Sequence, residues 1–191
     1  MEQVDTLIVG AGASGAVLAN RLSSDPDHSV LLLEAGPDYL PEQLPADLAN
    51  GRENAMASHD WGFMHRPTPS MPLVPLPRGR VVGGSSQVNT CIALRGVPSD
   101  FEEWADLGLD EWTWDQCQPA FLRLEQDLDH RDEHHSDSGP LPIRRHPPEE
   151  WVPWQAAFVE ACLELGHPAC ADFNRPEAVG VGAHAMNKLE G

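Results

Sequence analysis

Two short apolar runs near the start of the chain flank a segment with helical spacing. Residues 4–9 end in three large apolar side chains, and Val30–Leu33 is apolar throughout. Between them, apolar residues recur at helical intervals over residues 14–24. A continuous apolar run is typical of a strand buried on both faces, and 3.6-residue spacing indicates a helix. The pattern therefore predicts a β-α-β unit over residues 1–36.

The rest of the chain predicts loops and helices. Residues 37–78 are polar and rich in proline, which favours short elements in a lid, a binding loop or an extended arm. Residues 79–130 contain a glycine-rich segment and two helices, for which the capping boxes at Ser99/Glu102 and Thr113/Gln116 predict helices through Trp104 and to about Asp129. Residues 131–191 predict a loop, an amphipathic helix and the start of a further segment. The helix face consists of Trp154, Ala157, Phe158, Ala161, Cys162 and Leu165.

The number of predicted strands is small. A doubly wound nucleotide-binding sheet needs at least about four parallel strands, whereas the pattern predicts two. A two-stranded parallel pair leaves apolar edges uncovered. We therefore expect sequence beyond this chain to complete the fold.

Charge, hydropathy and cysteine usage limit the classes of partner and the cellular compartment that we expect. The 191 residues include 12 basic and 30 acidic ones, a formal net charge of −18, which repels polyphosphate and argues against a nucleic-acid-binding surface. The apolar run over residues 7–19 is too short to span a membrane, and Glu2 and Asp5 precede it where a signal peptide has basic residues. The four cysteines form no C-x-x-C pair. We expect reduced thiols and a cytoplasmic location.

A glycine-rich turn follows the first apolar run. Residues 10–15 read G-x-G-x-x-G between a predicted strand and a predicted helix, and Glu34 ends the second strand. In a dinucleotide-binding turn, Gly10 permits the bend, Gly12 admits the pyrophosphate and Gly15 lets the helix pack on the strand. The helix N-terminus offers N–H groups to the phosphates, and Glu34 would accept hydrogen bonds from a ribose diol. An ordinary strand–helix connection is the alternative.

A second segment, GRVVGGSSQVN over residues 79–89, is too dense in glycine and serine for a core element. Backbone amides at Gly83, Gly84 and Ser85 can approach a cofactor where a larger side chain would clash. Asn89 both donates and accepts hydrogen bonds, which suits the edge of a heteroaromatic ring. A bulged loop without a ligand is the alternative.

These segments, with the run RGVPSDFEEWADLG over residues 95–108, resemble the N-terminal third of the glucose–methanol–choline (GMC) family of FAD-dependent oxidoreductases. The resemblance covers residues 4–187. It implies an α/β fold, a Rossmann-like FAD-binding domain that is incomplete without a C-terminal remainder. It implies oxidation of a primary alcohol to an aldehyde by hydride transfer to flavin N5. The alcohol and the electron acceptor stay open.

The resemblance also implies the flavin-binding residues. The pyrophosphate would contact Gly10, Gly12, Ala13, Ser14 and Gly15, and the adenosine ribose would lie at Glu34 and Ala35. The rest of the cofactor would be lined by Arg80, Val82, Gly83, Ser85, Asn89, Thr90, Cys91 and Ile92. Val88 holds the position at which some relatives carry a flavin-linking histidine, so we expect non-covalent FAD.

In the family, the catalytic histidine and its second His or Asn come from the C-terminal part. We therefore assign no catalytic residue to this chain and expect it to associate with that part, as a second chain or as its own continuation. A hydroxynitrile lyase or fatty-acid photodecarboxylase of the same family, and a stand-alone dinucleotide-binding module, are the alternatives.

Three further groups of residues favour structural roles. His130, His134 and His135 lie among acidic residues in a region that predicts a solvated loop and no metal site. The tryptophans at 104, 112, 114, 151 and 154 favour packing of helices onto the sheet. Cys91 favours a small apolar filler over a redox role.

Overall fold

A computed structural model describes residues 3–51, 54, 55 and 57–188 of the chain. It divides into two compact units, Met1–Thr90 and Cys91–Gly191. The parts of the sequence predictions that concern residues 1, 2, 52, 53, 56 and 189–191 lie outside the described residues.

The first unit begins with the predicted β-α-β arrangement. Strand β1 (Thr6–Val9) is followed by helix α1 (Ala13–Leu22) and strand β2 (Val30–Leu33). The strands pair in parallel, with Thr6 opposite Val30 and Val9 opposite Leu33. The prediction of burial on both faces is wrong for this chain, because Leu7 and Val9 are 54% and 80% exposed. Of the helices, α1 packs against these strands and covers one part of their surface.

Residues 37–78 form short elements, as predicted. They comprise a 3-10 turn (Pro41–Gln43) and the antiparallel two-residue strands β3 (Met64–His65) and β4 (Val74–Pro75). This segment also supplies Leu48 and Ala55 to a buried cluster with Val81 and Val88. The region therefore packs against the second glycine-rich segment and forms the core of the unit with it.

Three helices belong to the second unit: α2 (Pro98–Asp106), α3 (Trp114–Leu124) and α4 (Pro153–Glu164). The N-cap of helix α2 is Val97, two residues before the predicted cap Ser99, and the Asp100 carboxylate accepts the Val97 N–H at 2.9 Å. Capping by Ser99 is therefore wrong. Helix α3 ends five residues earlier than predicted, because Glu125 adopts an extended backbone and begins a strand.

The second unit contains a three-stranded sheet in regions where the sequence predicted the end of a helix and a loop. Strand β5 (Glu125–Asp127) pairs in parallel with β6 (Leu141–Arg145), which pairs antiparallel with β7 (Ala185–Met186). The loop predicted at the start of residues 131–191 thus contains strand β6 and a 3-10 turn, Pro148–Glu150. Pairing partners far apart in the chain stabilise these strands.

Helix α4 lies where the sequence predicts a helix, but the prediction of one apolar face that packs is wrong, because no residue of the helix is buried. Trp154 and Phe158 are 85% and 64% exposed. The prediction that the tryptophans pack helices onto the sheet is therefore wrong for Trp154, whereas Trp104 and Trp112 contact each other edge to face at 5.8 Å. Over the described residues, no helix combines the length and the apolar character needed to cross a membrane.

Candidate functional site

The first glycine-rich turn connects β1 to α1 through a tight backbone. Gly10 has a φ of +98°, which favours glycine. A methyl group on Gly15 would overlap the carbonyl of Gly10, so the close approach of helix and strand requires glycine there. Gly12 has ordinary backbone angles, and nothing lies within 4 Å of the position that its side chain would take. The open space over Gly12 is the feature that a bound group could use.

Helix α1 begins at this open space. Gly12 is its N-cap and supplies no side-chain hydrogen bond, and the first turn contains no acidic residue. Ala13 and Ser14, both exposed, contribute the first amides of the helix. First-turn N–H groups carry the positive end of the helix dipole. This arrangement fits an anionic group such as a pyrophosphate.

Glu34 joins the end of β2 to the glycine-rich turn. Its carboxylate accepts the Ala11 N–H at 2.7 Å and the Gly36 N–H at 2.8 Å. The Gly36 hydrogen bond lowers the pKa of Glu34, partial burial opposes this shift, and the Ala11 hydrogen bond adds to it. The carboxylate is thus anionic at neutral pH. Each oxygen keeps a lone pair that can accept a further hydrogen bond, such as one from a ribose hydroxyl.

The second glycine-rich segment lies directly against the first. The Gly83 N–H donates to the Ala11 carbonyl at 2.8 Å, and Gly83 forms a parallel bridge with Gly12. A side chain on Gly84 would lie 3.0 Å from the Gly12 Cα. The Val82 N–H donates to the Pro37 carbonyl at 3.0 Å. The structure therefore brings both predicted glycine segments together within the first unit.

Side chains of the second segment have different local roles. The Ser85 hydroxyl accepts the Gly79 N–H at 3.0 Å and so closes its own loop. The Arg80 guanidinium lies over the Trp61 ring, 5.2 Å from its centroid. Ala35 and Asn89 are exposed and Thr90 is half-buried. Val88 is 2% exposed in the buried cluster of the unit.

His59 also positions Arg80, and the sequence analysis did not single it out. Its carbonyl accepts the Arg80 N–H at 2.7 Å. Its buried ring contacts the Tyr39 hydroxyl at 2.9 Å and the Ser58 hydroxyl at 2.6 Å. A histidine in a proline-rich polar segment carries no distinctive pattern, so this role required the structure.

In the second unit, Cys91 and Ile92 are the last two residues that the resemblance assigns to the flavin. Cys91 is half-buried with a φ of 63°, and Ile92 is exposed and bridges Met186. The backbone of Cys91 accepts a hydrogen bond from the Asn187 N–H at 2.7 Å. The flavin-binding role of these two residues stays a prediction.

A buried ionic cluster, which the sequence analysis missed, lies in the second unit. It consists of the side chains of Arg95, Glu125, Asp127, His135, Arg145 and Asp172, each below 10% exposure. His135 Nε2 lies 2.7 Å from an Asp172 oxygen, and Nδ1 lies 3.1 Å from an Asp127 oxygen. The prediction that His135 belongs to a solvated loop is therefore wrong. The sequence signal that could have indicated this cluster is the pair of acidic residues at 125 and 127, which lie on the same face of a strand.

The charges in this cluster balance when His135 is protonated. Burial opposes the charged imidazole, but contacts with Asp127, Asp172 and Glu125 outweigh burial and raise the pKa of His135 to about 11. Burial likewise opposes the charged forms of Asp127 and Asp172, and hydrogen bonds from His135 and other donors lower the pKa of both carboxyls.

Ligand atoms of Glu125, Asp127 and His135 lie within 4.8 Å of one another, a spacing that a metal ion could use. Arg95 and Arg145 already contact the two carboxylates, at 2.5 and 2.9 Å. A divalent cation would add positive charge beside two guanidinium groups. We therefore interpret the cluster as an ion-pair network.

Comparison with known proteins identifies relatives over almost the whole chain. The family profile described as GMC oxidoreductase matches residues 4–190. The 5-(hydroxymethyl)furfural oxidase of Methylovorus sp. (strain MP688) is 36% identical over 89% of this chain and 34% of its own. The oxygen-dependent choline dehydrogenase of Vibrio vulnificus (strain YJ016) is 36% identical over 100% of this chain and 34% of its own. The chain thus spans about a third of the length of these curated relatives.

Solved structures with the same fold come from related enzymes. The crystal structure of pyridoxine 4-oxidase from Mesorbium loti superimposes with a TM-score of 0.87 at 35% identity, over 98% of this chain and 37% of that protein. A formate oxidase of Aspergillus oryzae RIB40, studied for FAD modification, superimposes with a TM-score of 0.79 at 25% identity, over 97% of this chain and 34% of that protein.

Proposed function

The chain belongs to the GMC oxidoreductase family, and we propose that it forms the N-terminal FAD-binding part of an enzyme that oxidises an alcohol. The observation that supports this most directly is the contact between the two glycine-rich segments beside the open space over Gly12. The choline dehydrogenase and oxidases among the relatives support an alcohol as substrate.

The residues of the first unit fit the cofactor. The amides of Ala13 and Ser14 would hold the pyrophosphate over Gly12, where no side chain excludes it. Glu34 would accept hydrogen bonds from the adenosine ribose while it keeps its two backbone contacts. Residues 80–90 would bind further along the flavin nucleotide. The chemistry that the flavin supplies is acceptance of a hydride from the alcohol carbon.

We further propose that the catalytic base lies outside this chain. The relatives are about three times as long, and the ring of His59, whose carbonyl accepts the Arg80 N–H, is buried and held by the Tyr39 and Ser58 hydroxyls. A C-terminal part would supply the base, the remaining pocket wall and the selectivity for a primary alcohol. An intact mass of the native protein shows whether the C-terminal part is a second chain or a continuation of this one. Material of 20.9 kDa that co-purifies with no companion would contradict this proposal.

Gly12→Ala tests the FAD site, because it adds one methyl group where the structure has space. We expect unchanged thermal unfolding and a loss of FAD affinity of at least about tenfold, since the methyl group would occupy the path of the pyrophosphate. The measurement is titration of the native protein, stripped of flavin, with FAD followed by flavin fluorescence.

Asn20→Ala, an exposed substitution further along α1, is the matched control and should leave FAD affinity unchanged. Equal FAD affinity in Gly12→Ala and the unmodified protein would contradict the proposed site. Anaerobic mixing with alcohols then tests the activity: bleaching of the flavin absorption supports alcohol oxidation. Binding of FAD without bleaching by any alcohol would favour a non-oxidising member of the family.

A further inference from the structure

The segment Cys91–Arg95 has an unusual backbone that other residues of the second unit hold in place. Cys91 is the one non-glycine residue with a positive φ among the residues that the structure describes. Such a conformation costs about 1 kcal/mol or more, so it persists only where surrounding contacts impose it. On one side, the Ala93 N–H donates to the Ala185 carbonyl at 2.9 Å. Strand β7 therefore holds one edge of the segment.

Asn174 holds the same segment through its side chain. Its Nδ2 donates to the Ala93 carbonyl at 3.0 Å, and its Oδ1 accepts the Arg95 N–H at 3.0 Å. Asn174 is only 4% exposed, so water cannot readily replace these two hydrogen bonds. The amide group thus pairs with the segment as the backbone of a neighbouring strand would.

The buried ionic cluster anchors Asn174 from behind. Asp172 Oδ1 accepts the Asn174 N–H at 3.0 Å and the Arg145 guanidinium at 2.6 Å. The other Asp172 oxygen lies 2.7 Å from His135 Nε2. Asn174 is therefore joined to buried charges that cannot move without losing their partners.

The segment has a second attachment to the same cluster. The Arg95 side chain donates to the His134 carbonyl at 2.8 Å and pairs with Glu125 at 2.5 Å. Backbone and side chain of the segment are thus both tied to one buried network.

We propose that Asn174 is a positioning residue that sets the conformation of Cys91–Arg95 and thereby the contacts of this segment with the flavin. The inference rests on the proposed function and on the flavin-lining role that the resemblance predicts for Cys91 and Ile92. The effect of Asn174 passes through the backbone of Ala93 and Arg95.

The test compares Asn174→Ala with Gln155→Ala in the native protein. Gln155 is a matched control, because its side chain also makes a 3.0 Å hydrogen bond to backbone in the second unit, at Val152 and away from the segment. Hydrogen exchange of the Ala93 and Arg95 amides, resolved by fragment mass, reports the conformation of the segment without depending on flavin. The visible absorption and reduction potential of bound flavin report the cofactor.

In Asn174→Ala we expect both amides to exchange at least about tenfold faster, the factor that corresponds to about 1.4 kcal/mol in the local opening equilibrium. We also expect shifted flavin absorption or potential, and neither change in Gln155→Ala. Equal exchange in the two variants would overturn the inference. Faster exchange with an unaltered flavin would refute its cofactor part.

Two outcomes separate this inference from the proposed function. A protein that binds no FAD contradicts the proposed function, and the exchange rates still decide whether Asn174 holds the segment. If Asn174→Ala does not fold, hydrogen exchange of the Ala93 and Arg95 amides in the unmodified protein decides whether Asn174 holds the segment. An Arg95 amide that is protected like that of Ala93 supports the role of Asn174. If the Arg95 amide exchanges as fast as an unprotected amide, the inference is overturned.

Discussion

Replacing His135 with glutamine removes one positive charge from the buried ionic cluster. The carboxylates of Glu125, Asp127 and Asp172 would then face two guanidinium groups without the imidazolium that completes the balance. Removing one partner from a buried ion network costs about 3–5 kcal/mol, because the remaining charges stay desolvated. We expect a lower free energy of unfolding of this order near pH 6.

The pH dependence gives a more specific expectation. The pKa of His135 is raised from 6.5 to about 11, so its contribution is fully present below about pH 6.5 and is lost as the pH rises toward 11. One proton held only by the folded state changes the free energy of unfolding by about 1.4 kcal/mol per pH unit. Between pH 7 and 9 the unmodified protein should therefore lose about 2–3 kcal/mol relative to His135→Gln.

The carboxylates of Asp127 and Asp172 set the lower pH limit of the stability that the cluster contributes. Because the pKa values of Asp127 and Asp172 are lowered from 3.8, their contribution is present above about pH 4 and is lost as the pH falls further. The network should therefore stabilise the protein most between about pH 5 and 6.5.

Urea unfolding followed by tryptophan fluorescence at pH 6, 7, 8 and 9 measures these differences. His184→Gln, a substitution of an exposed histidine in the same unit, is the control and should keep the pH profile of the unmodified protein. Parallel profiles for His135→Gln and the unmodified protein between pH 7 and 9 would show that His135 does not carry the extra proton.

Further predictions concern the glycine-rich site. Gly15→Ala should lower the melting temperature, measured by calorimetry, because its methyl group would overlap the Gly10 carbonyl; a melting temperature equal to that of Gly12→Ala would contradict this reasoning. Glu34→Gln replaces an acceptor of two backbone hydrogen bonds and should lower the free energy of unfolding in urea by about 1–3 kcal/mol. The same substitution should weaken FAD binding. An unchanged stability would show that these hydrogen bonds contribute little. Acid precipitation should release the flavin into the supernatant, since Val88 cannot form a covalent link; yellow colour retained in the pellet would refute non-covalent binding.

The parts of the fold that the sequence predicted correctly depend on local patterns. The β-α-β unit follows from two apolar runs around a helical repeat, and the position of helix α4 follows from its apolar spacing. The predicted helix over residues 125–129 failed, because pairing with β6 at residues 141–145 outweighs the local preference. Asp100 rather than Ser99 caps α2, a choice between two suitable side chains that the sequence cannot separate.

The sequence by itself determined the two glycine-rich turns, because backbone conformation and close approach restrict those positions to glycine wherever the chain folds in this way. The tertiary structure decided their contact at Gly12 and Gly83, since hydrogen bonds across some 70 residues leave no local pattern. It also decided that His135, in an apparently solvated run, is buried among charges from Arg95 to Asp172. Charge pairing depends on distance in space, and the spacing of residues along the chain does not encode it.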